Sequence, residues 1–384
     1  MFENYLDIQN YKSTIGRNIK AFHIENAPSV TNQKGKLYKT ENLQASFNYQ
    51  REGVYPKQGL DYYYKTKQIK NSSFLFTNSG QGANASILLT LKNHFSLELH
   101  KKSSVWYYET IKLLKSSVGH QSKELPTLSI LFIDSSKSNN FELIETEVFD
   151  CIIVDTTCYP LTGVTLRDLF SKCSKLNKTV FLSRSHLKLD SLGTDCGNLG
   201  SISIINPTNL HGLNKDLIIK KNTDLDLLTN LVHETAGILG AGFNIDNFYP
   251  FLGDDKINEA NLERVTRIQR NCDTLISLLK IENEYITIKT VPHKLFFFVH
   301  YQYKAQANKN LFLKLNSLHN LNAKYCDSFG FDFLTHGNLI KYEDGTTPTI
   351  IRITAPDYDQ LDLEKSALLL NQYFKEIFKE EVYP

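Results

Sequence analysis

Three short stretches of the sequence place charged or reactive groups directly after apolar segments. Lys188 follows the segment TVFLSRS (179–185), Asp155 ends the segment IIVD, and the turn NSGQGA (78–83) follows SSFLF. A lysine amine withdrawn from solvent becomes nucleophilic, a carboxylate can hold a proton on a bound base, and a glycine turn that opens a helix can bind an anion. Together the three stretches predict one site with an anion cradle, a carboxylate and an amine.

Each stretch has a simpler interpretation when it is taken alone. The glycine turn lacks the Gly-Lys-Ser/Thr of a Walker A loop and the spacing of a dinucleotide site, and such turns are often merely tight. An isolated Asp at a strand end often caps the next helix, and most lysines in polar loops lie on the surface. The order of the residues favours a shared site, because an aromatic pair, Tyr107 and Tyr108, stands between the turn and Asp155.

These parts match the needs of one cofactor. Pyridoxal 5'-phosphate requires an anion site for its phosphate, an aromatic face over its ring, a carboxylate on its pyridine nitrogen and an amine for a Schiff base. The sequence therefore predicts that Lys188 carries pyridoxal phosphate, with Asp155 at the ring nitrogen.

The segments between these residues alternate between apolar runs and helical patterns. Strands are predicted at residues 72–78, 103–109, 128–134, 150–157, 179–185 and 201–206. Short apolar runs separated by helices indicate βα units and a mostly parallel sheet with helices on both faces. Such sheets bind ligands at the carboxyl ends of their strands, where Asp155 and Lys188 stand.

The pattern changes from about residue 222. Helices are predicted at residues 225–240, 258–280, 308–321 and 363–379, with apolar strands among them. We therefore expect an extended N-terminal arm over residues 1–60, a large α/β domain over 61–240 and a smaller α+β domain over 241–384, in which residues 258–280 form a long connecting helix.

Composition excludes several classes of partner. The 384 residues include 43 Lys and Arg against 41 Asp and Glu, a net charge of +2, and basic residues form no run that would follow a nucleic acid. Without a signal pattern or an apolar segment of about 18 residues, the chain is expected to be cytoplasmic and free of membranes. Its 6 cysteines have no metal-ligand spacing, so we expect reduced thiols and no metal.

Taken in order, these motifs resemble those of the fold-type I pyridoxal-phosphate-dependent enzymes of cysteine and methionine metabolism, such as cystathionine γ-synthase, the cystathionine lyases and methionine γ-lyase. The similarity runs from about residue 47 to residue 370. NSGQGA resembles the family's Ser-Ser-Gly-Met-Ala-Ala, and the other matching segments are FNYQREGVYP (47–56, Tyr-Ser-Arg-x-x-Asn-Pro-Thr), YYET (107–110, Tyr-x-x-Thr), VDTT (154–157, Val-Asp-Asn-Thr), SHLK (185–188, Ser-Ala-Thr-Lys), DSFGFDFL (327–334, Ser-Leu-Gly-Gly) and IIRIT (350–354, Arg-Leu-Ser).

The resemblance implies a role for each matching residue. Catalysis would fall on Lys188, Tyr107 and Asp155. The cofactor would be bound by Gly80, Gln81, Tyr107, Asp155, Thr157, Ser185 and Lys188, with Tyr108 as the alternative to Tyr107 for stacking on the ring. Arg352 would hold the α-carboxylate of an amino-acid substrate, a task suited to a guanidinium. Tyr49 and Arg51 would reach the phosphate in a neighbouring subunit, which implies a homodimer or homotetramer with shared active sites.

The resemblance also implies the activity, namely β- or γ-elimination or replacement on an amino acid. A fold-type I aminotransferase is the alternative enzyme, since it would use the same parts. A homologue that binds the cofactor without turnover, in a structural or regulatory role, is the alternative of another class. The sequence departs from the family at Leu187, where Thr is usual, and at Gln81, where Met is usual. Because the divergent segments lie where the family builds its substrate pocket, the sequence does not identify the substrate.

Overall fold

The computed structural model divides the chain into two compact units. The larger spans Tyr11–Asn261, and the smaller combines Met1–Asn10 with Leu262–Pro384. The predicted domain boundaries near residues 60 and 240 stay predictions. The residues described are 7, 9–14, 16–18, 36–39, 44–47, 55, 56, 64, 69, 71–105, 107–116, 125–193, 198–207, 224–242, 254–280, 286–301, 309–321, 323–325, 334–338 and 350–379.

The larger unit is built on a six-stranded sheet. Its strands are β4 (Ser72–Thr77), β5 (Ser96–Leu99), β6 (Thr127–Asp134), β7 (Cys151–Asp155), β8 (Thr179–Ser185) and β9 (Gly200–Ile205), in the order β4-β9-β8-β7-β6-β5. Strands β5 to β8 run parallel, whereas β9 is antiparallel to both of its neighbours. A separate three-stranded antiparallel sheet contains β1 (Lys36–Lys39), β2 (Gln44–Phe47) and β3 (Tyr55–Pro56).

Helices connect and cover the strands of the larger unit. They are α1 (Gly80–Lys92), α2 (Tyr108–Lys115), α3 (Leu143–Thr146), α4 (Val164–Cys173) and α5 (Asp224–Ile238). A core of buried aliphatic and aromatic side chains joins α1 and α5 to one face of the sheet, with Ile87, Leu91, Ile153, Phe181 and Val232 among its members. Because side chains alternate along a strand, Leu182 and Arg184 of β8 lie on the opposite face from Phe181.

Helix α6 (Asp255–Leu278) continues from the larger unit into the smaller one. The elements of the smaller unit after α6 are β10 (Ile286–Thr290), β11 (Phe296–Tyr301), α7 (Lys309–Leu318), β12 (Lys324–Tyr325), β13 (Thr335–Asn338), β14 (Ile350–Thr354) and α8 (Gln360–Lys379). Its strands form a five-stranded sheet in the order β10-β11-β14-β13-β12. No helix within the described residues has both the length and the apolar character needed to cross a membrane.

The α/β architecture predicted from the sequence is confirmed, with one correction at the sheet edge. Residues 103–109 were expected to form a strand, but helix α2 begins at Tyr108, and among the described residues of this segment only Ser104 makes a bridge, to Ile133. The edge strand is instead the short and half-polar β5, which pairs with β6. The resemblance to fold-type I enzymes implies a sheet of the seven-stranded type; the described residues contribute six strands, and residues 208–223, which follow β9, lie outside them.

Candidate functional site

Helix α1 begins in direct contact with the end of strand β8. A Cβ atom added to Gly80 would lie 2.8 Å from Cβ and 2.9 Å from N of Ser185, closer than side-chain carbons approach such atoms. A glycine is therefore needed at position 80 to let the two backbones meet. Since Lys188 follows Ser185 by three residues, this contact brings the start of the helix and the lysine turn together at the carboxyl end of strand β8.

The first turn of α1 presents backbone donors at this end of strand β8. The Ser79 side chain caps the helix by accepting a hydrogen bond from Gly82 N at 2.9 Å, and the Ser79 carbonyl accepts from Ala83 N at 3.0 Å. Within the described residues, the N–H groups of Gly80 and Gln81 are left without a partner. Two open N–H groups at the positive end of a helix can bind an anion, and these two belong to residues predicted for the phosphate.

Asp155 ends strand β7 and is buried, with 2% of its surface exposed. Its Oδ1 accepts a hydrogen bond from Thr157 N at 2.9 Å, and its Oδ2 accepts from Asn84 Nδ2, on helix α1, at 3.3 Å. Burial raises the pKa of the carboxyl group, although these hydrogen bonds and the positive charge of Arg184 act in the opposite direction. The described residues give Asp155 no salt bridge, so a cationic ligand atom would relieve the cost of burying its charge.

Thr157 connects Asp155 to the end of the neighbouring strand. Its backbone N–H donates to Asp155, as described, and its Oγ1 accepts a hydrogen bond from Ser185 N at 3.0 Å. The paired register of β7 and β8 places Asp155 opposite Ser183. The structure therefore brings together four residues predicted from the sequence, namely Gly80, Asp155, Thr157 and Ser185.

Gln81 and Tyr107 lie on elements that meet beside the same turn. The side-chain Oε1 of Gln81 accepts a hydrogen bond from Thr110 Oγ1 at 3.2 Å, which links the first turn of α1 to the first turn of α2. Tyr107 stands at the N-terminus of α2, is half-buried, and accepts a hydrogen bond at its carbonyl from Ile111 N at 3.0 Å. Gln81, where the family has Met, thus acts as a polar connection to the element that carries Tyr107.

The three remaining predicted site residues belong to other parts of the chain. Tyr49 and Arg51 lie outside the described residues. Arg352 lies on β14 of the smaller unit, is buried, and has its guanidinium carbon 5.9 Å from the centre of the Phe296 ring. Its role toward a substrate carboxylate stays a prediction.

Four residues around the site were not predicted from the sequence. Asn84 contacts Asp155, and Arg184, His186 and Asp190 form a buried cluster on either side of Lys188 in the sequence. An arginine within the apolar strand TVFLSRS was the available signal, because a charge in a strand buried on both faces needs an internal partner.

The donor set fits a ligand with an anionic end and a basic ring. The open N–H groups of Gly80 and Gln81 suit a phosphate, and the buried carboxylate of Asp155 suits a protonated ring nitrogen. The lysine turn begins where the helix and the strand touch. Pyridoxal phosphate has these two ends and an aldehyde that reacts with a lysine amine.

Comparison with solved structures finds similar folds at low sequence identity. Cystathionine γ-synthase from Xanthomonas oryzae pv. oryzae, in complex with aminoacrylate and cysteine, is 12% identical with a TM-score of 0.56 and covers 96% of this chain and 98% of its own. The O-acetylhomoserine sulfhydrylase of Wolinella succinogenes is 14% identical, with a TM-score of 0.50 and coverage of 78% and 91%. Kynurenine aminotransferase from Pyrococcus horikoshii, in complex with PMP, is 10% identical, with a TM-score of 0.53 and coverage of 95% and 87%.

These likenesses show that the chain has the fold-type I architecture of pyridoxal-phosphate-dependent enzymes, as its motifs predicted. No protein-family model and no curated protein sequence matches the chain. The shared architecture extends across nearly the whole chain, so it includes both units.

Proposed function

We propose that this chain is a pyridoxal-phosphate-dependent enzyme that acts on an amino acid and eliminates or replaces a substituent at Cβ or Cγ. One observation carries the proposal. The contact of Gly80 with Ser185 brings the open N–H groups of α1, the carboxylate of Asp155 and the turn of Lys188 together at the carboxyl ends of strands β7 and β8. The similar folds include a cystathionine γ-synthase and an O-acetylhomoserine sulfhydrylase, which supports this class of reaction.

The residues divide the binding of the cofactor among them. The N–H groups of Gly80 and Gln81, with the Ser185 hydroxyl, would hold its phosphate. Asp155, oriented by Thr157 and Asn84, would hold a proton on its ring nitrogen. Tyr107 would lie against the ring, and Tyr108 is the alternative for that role.

Pyridoxal phosphate, when bound, supplies an aldehyde that condenses with amines and a ring that accepts the electron pair left by a broken bond at Cα. Lys188 would take the proton from Cα of the substrate once its amine is free. The Tyr107 phenol would serve as a second acid or base near the departing substituent. Arg352 would bind the substrate α-carboxylate with its two parallel N–H groups, and so fix the orientation of Cα.

The expected assembly is a homodimer or homotetramer with shared sites. Tyr49 and Arg51 are two residues apart in the polar segment QASFNYQREG, and alternate residues of an extended segment point to the same side. Both could therefore contact one phosphate in a neighbouring subunit. A closed two-fold dimer would then contain two equivalent sites.

The alternative functions would use the same residues but differ in the product formed, or form none. The likeness to kynurenine aminotransferase favours transamination as the second candidate, because that reaction needs the same lysine, carboxylate and phosphate site. A protein that only binds the cofactor would have no need to retain Lys188, Asp155 and Arg352 together.

A panel of amino acids separates these candidates. Purified protein is loaded with pyridoxal phosphate and mixed with amino acids that carry leaving groups at Cβ or Cγ, with and without a thiol. Release of ammonia and a keto acid, or formation of a thioether, supports the proposal. Exchange of the amino group with a keto acid would establish an aminotransferase. Binding of the cofactor without turnover of any substrate would favour the binding protein.

A further inference from the structure

A buried ion pair brackets Lys188. Arg184 is completely buried, and its Nε and Nη2 donate to Oδ2 and Oδ1 of Asp190, each at 2.6 Å. The remaining Nη1 donates to the carbonyl of Thr156 at 2.5 Å. Arg184 precedes Lys188 by four residues and Asp190 follows it by two, so the pair closes the turn that carries the lysine and attaches it to the end of β7.

His186 extends this pair to strand β9. Its Nδ1 lies 2.6 Å from Oδ2 of Asp190, and its Nε2 lies 2.8 Å from Oγ of Ser201. Burial lowers the pKa of His186, although the Asp190 carboxylate acts against that change. A neutral ring that donates from Nδ1 to Asp190 accepts at Nε2 from the Ser201 hydroxyl, so each contact has one donor and one acceptor.

The backbone of the turn is held in an unusual conformation. Ser191 N donates to His186 O at 3.1 Å, and Leu192 N donates to Leu189 O at 2.8 Å. Leu192 is fully buried with φ of 54°, in the left-handed region that favours glycine. Such a conformation costs free energy and persists only where the surrounding contacts determine it.

The network does not lie on the side of the sheet that carries α1. Phe181 of β8 and Ile202 of β9 pack in the core formed with α1. Because side chains alternate between the two faces along a strand, Arg184 and Ser201 lie on the opposite face. Asp155 contacts Asn84 of α1 and therefore lies on the face that carries α1. Arg184 therefore makes no direct contact on the α1 side, and its substitution acts on the site through the turn and through the loss of a positive charge that lowers the pKa of Asp155.

We propose that Arg184, Asp190 and His186 are positioning residues that hold Lys188 where its amine can react with the cofactor. This inference rests on the proposed function, in which Lys188 is the point of attachment. A buried ion pair adds little net stability compared with apolar residues of similar size. Because the ion pair encloses the lysine that is predicted to react, we infer that it serves to hold the backbone of the turn in one conformation.

The test replaces the pair with apolar residues in the full chain. The double variant Arg184→Met, Asp190→Leu is expected to fold with a melting temperature about 2–5 °C below that of the wild type, because the apolar pair leaves His186 Nδ1 and the Thr156 carbonyl without their partners. Non-covalent binding of pyridoxal phosphate, measured on Lys188→Ala with and without the double replacement, is expected to change much less than the covalent attachment does, because only the charge of Arg184 near Asp155 is lost. The fraction of cofactor covalently attached to Lys188 is expected to fall about tenfold or more, because the amine is misplaced.

Hydrogen exchange gives a readout that does not need the cofactor. Amides of the turn at residues 186–192 are expected to exchange about tenfold faster or more in the double variant, while those of strand β7 do not change. The matched control is Thr90→Val, which removes a partly buried hydrogen bond of 2.8 Å from Thr90 Oγ1 to Thr235 Oγ1 between α1 and α5. The control is expected to leave both the exchange of the turn and the covalent fraction as in the wild type.

The outcomes separate this inference from the proposed function. Wild-type exchange in the turn, or a wild-type covalent fraction, in the folded double variant overturns the positioning role. If the double variant does not fold, Arg184→Lys decides in the same two measurements, since it keeps the charge but loses the two-pronged contact. A wild-type chain that never attaches the cofactor to Lys188 contradicts the proposed function, and the exchange data still decide whether the network holds the turn.

Discussion

Asn84 of helix α1 donates a hydrogen bond from Nδ2 to Oδ2 of Asp155 at the end of strand β7, over 3.3 Å in a buried setting. The other carboxylate oxygen accepts from the backbone of Thr157. Two neutral donors orient the group but do not cancel its charge, and burial leaves its pKa above the ordinary value. Asp155 is therefore costly to keep ionised until a cation reaches it.

Asp155→Asn should stabilise the cofactor-free protein while impairing the enzyme. The folded state holds the Asp155 proton more tightly than the unfolded chain, so the stability contributed by this group is lost as pH rises through the folded pKa. At about pH 8 the variant should be more stable by roughly 1–3 kcal/mol, and the difference should shrink on acidification. Urea unfolding at several pH values measures this difference.

The same variant tests the role of the carboxylate in the reaction. Its amide cannot hold a proton on the ring nitrogen, so turnover should fall about a hundredfold or more while cofactor still binds. Wild-type turnover in Asp155→Asn would exclude the role proposed for this carboxylate. A variant that is less stable than the wild type at every pH would show that its charge is already compensated.

Gly80→Ala should separate helix α1 from strand β8. The new Cβ would meet Cβ and N of Ser185 at 2.8 and 2.9 Å, and a backbone atom cannot move aside as a side chain can. We expect a loss of about 1–3 kcal/mol in the free energy of unfolding, together with weaker cofactor binding. The two quantities are measured by urea unfolding and by titration with pyridoxal phosphate.

Gly237→Ala is the matched control for this prediction. Gly237 lies in helix α5 and has no atom within 4 Å of the position of an added Cβ. The substitution should be neutral or stabilise the protein by about 0.5–1 kcal/mol. Equal effects of the two glycine substitutions would mean that the contact between Gly80 and Ser185 is not needed.

Much of the sheet and part of the site follow from the sequence because strand and helix patterns are local. The predicted strand at residues 179–185 coincides with β8, and apolar runs place Asp155 and Lys188 at or after strand ends. The edge strand β5 was missed since its four residues, although they alternate between polar and apolar, are too few to stand out from the end of the preceding helical pattern. The partners of Arg184 could not be identified either, because an ion pair depends on how the turn after β8 folds back.

His336 should make the smaller unit sensitive to acid. It is completely buried beside the rings of Phe312, Tyr325 and Tyr373, with centroid distances of 4.7, 5.2 and 4.9 Å. Burial lowers its pKa to about 3, whereas the unfolded chain takes up the proton near pH 6.5. The free energy of unfolding is therefore not reduced by this histidine above about pH 6.5, and it falls as pH drops, by about 2 kcal/mol at pH 5.

His336→Phe should remove this acid sensitivity, since no proton is taken up on unfolding at that position. Unfolding of the smaller unit is followed by hydrogen exchange of strand β11 and helix α8 across the pH range. His319→Gln, which changes a less buried histidine of the same unit, is the control and should keep the wild-type pH dependence. An unchanged pH dependence in His336→Phe would refute this account.

Complementation tests the shared site. Arg51→Ala subunits mixed with Lys188→Ala subunits should form heterodimers in which one site carries both substitutions and the other carries neither. Activity should then partly return, to about a quarter of the wild-type value when equal amounts exchange fully and at random. No recovery in a mixture shown to exchange subunits, or an active monomer in sedimentation, would contradict shared sites.

The central claim is that Lys188 carries the cofactor, and one measurement tests it directly. The full chain is incubated with pyridoxal phosphate, reduced with borohydride, digested and mapped by mass spectrometry. The account predicts one phosphopyridoxyl group, on the peptide that contains Lys188, and none in Lys188→Ala. A stable label on Lys178 or another lysine instead, or no label on the folded wild-type protein, would contradict it.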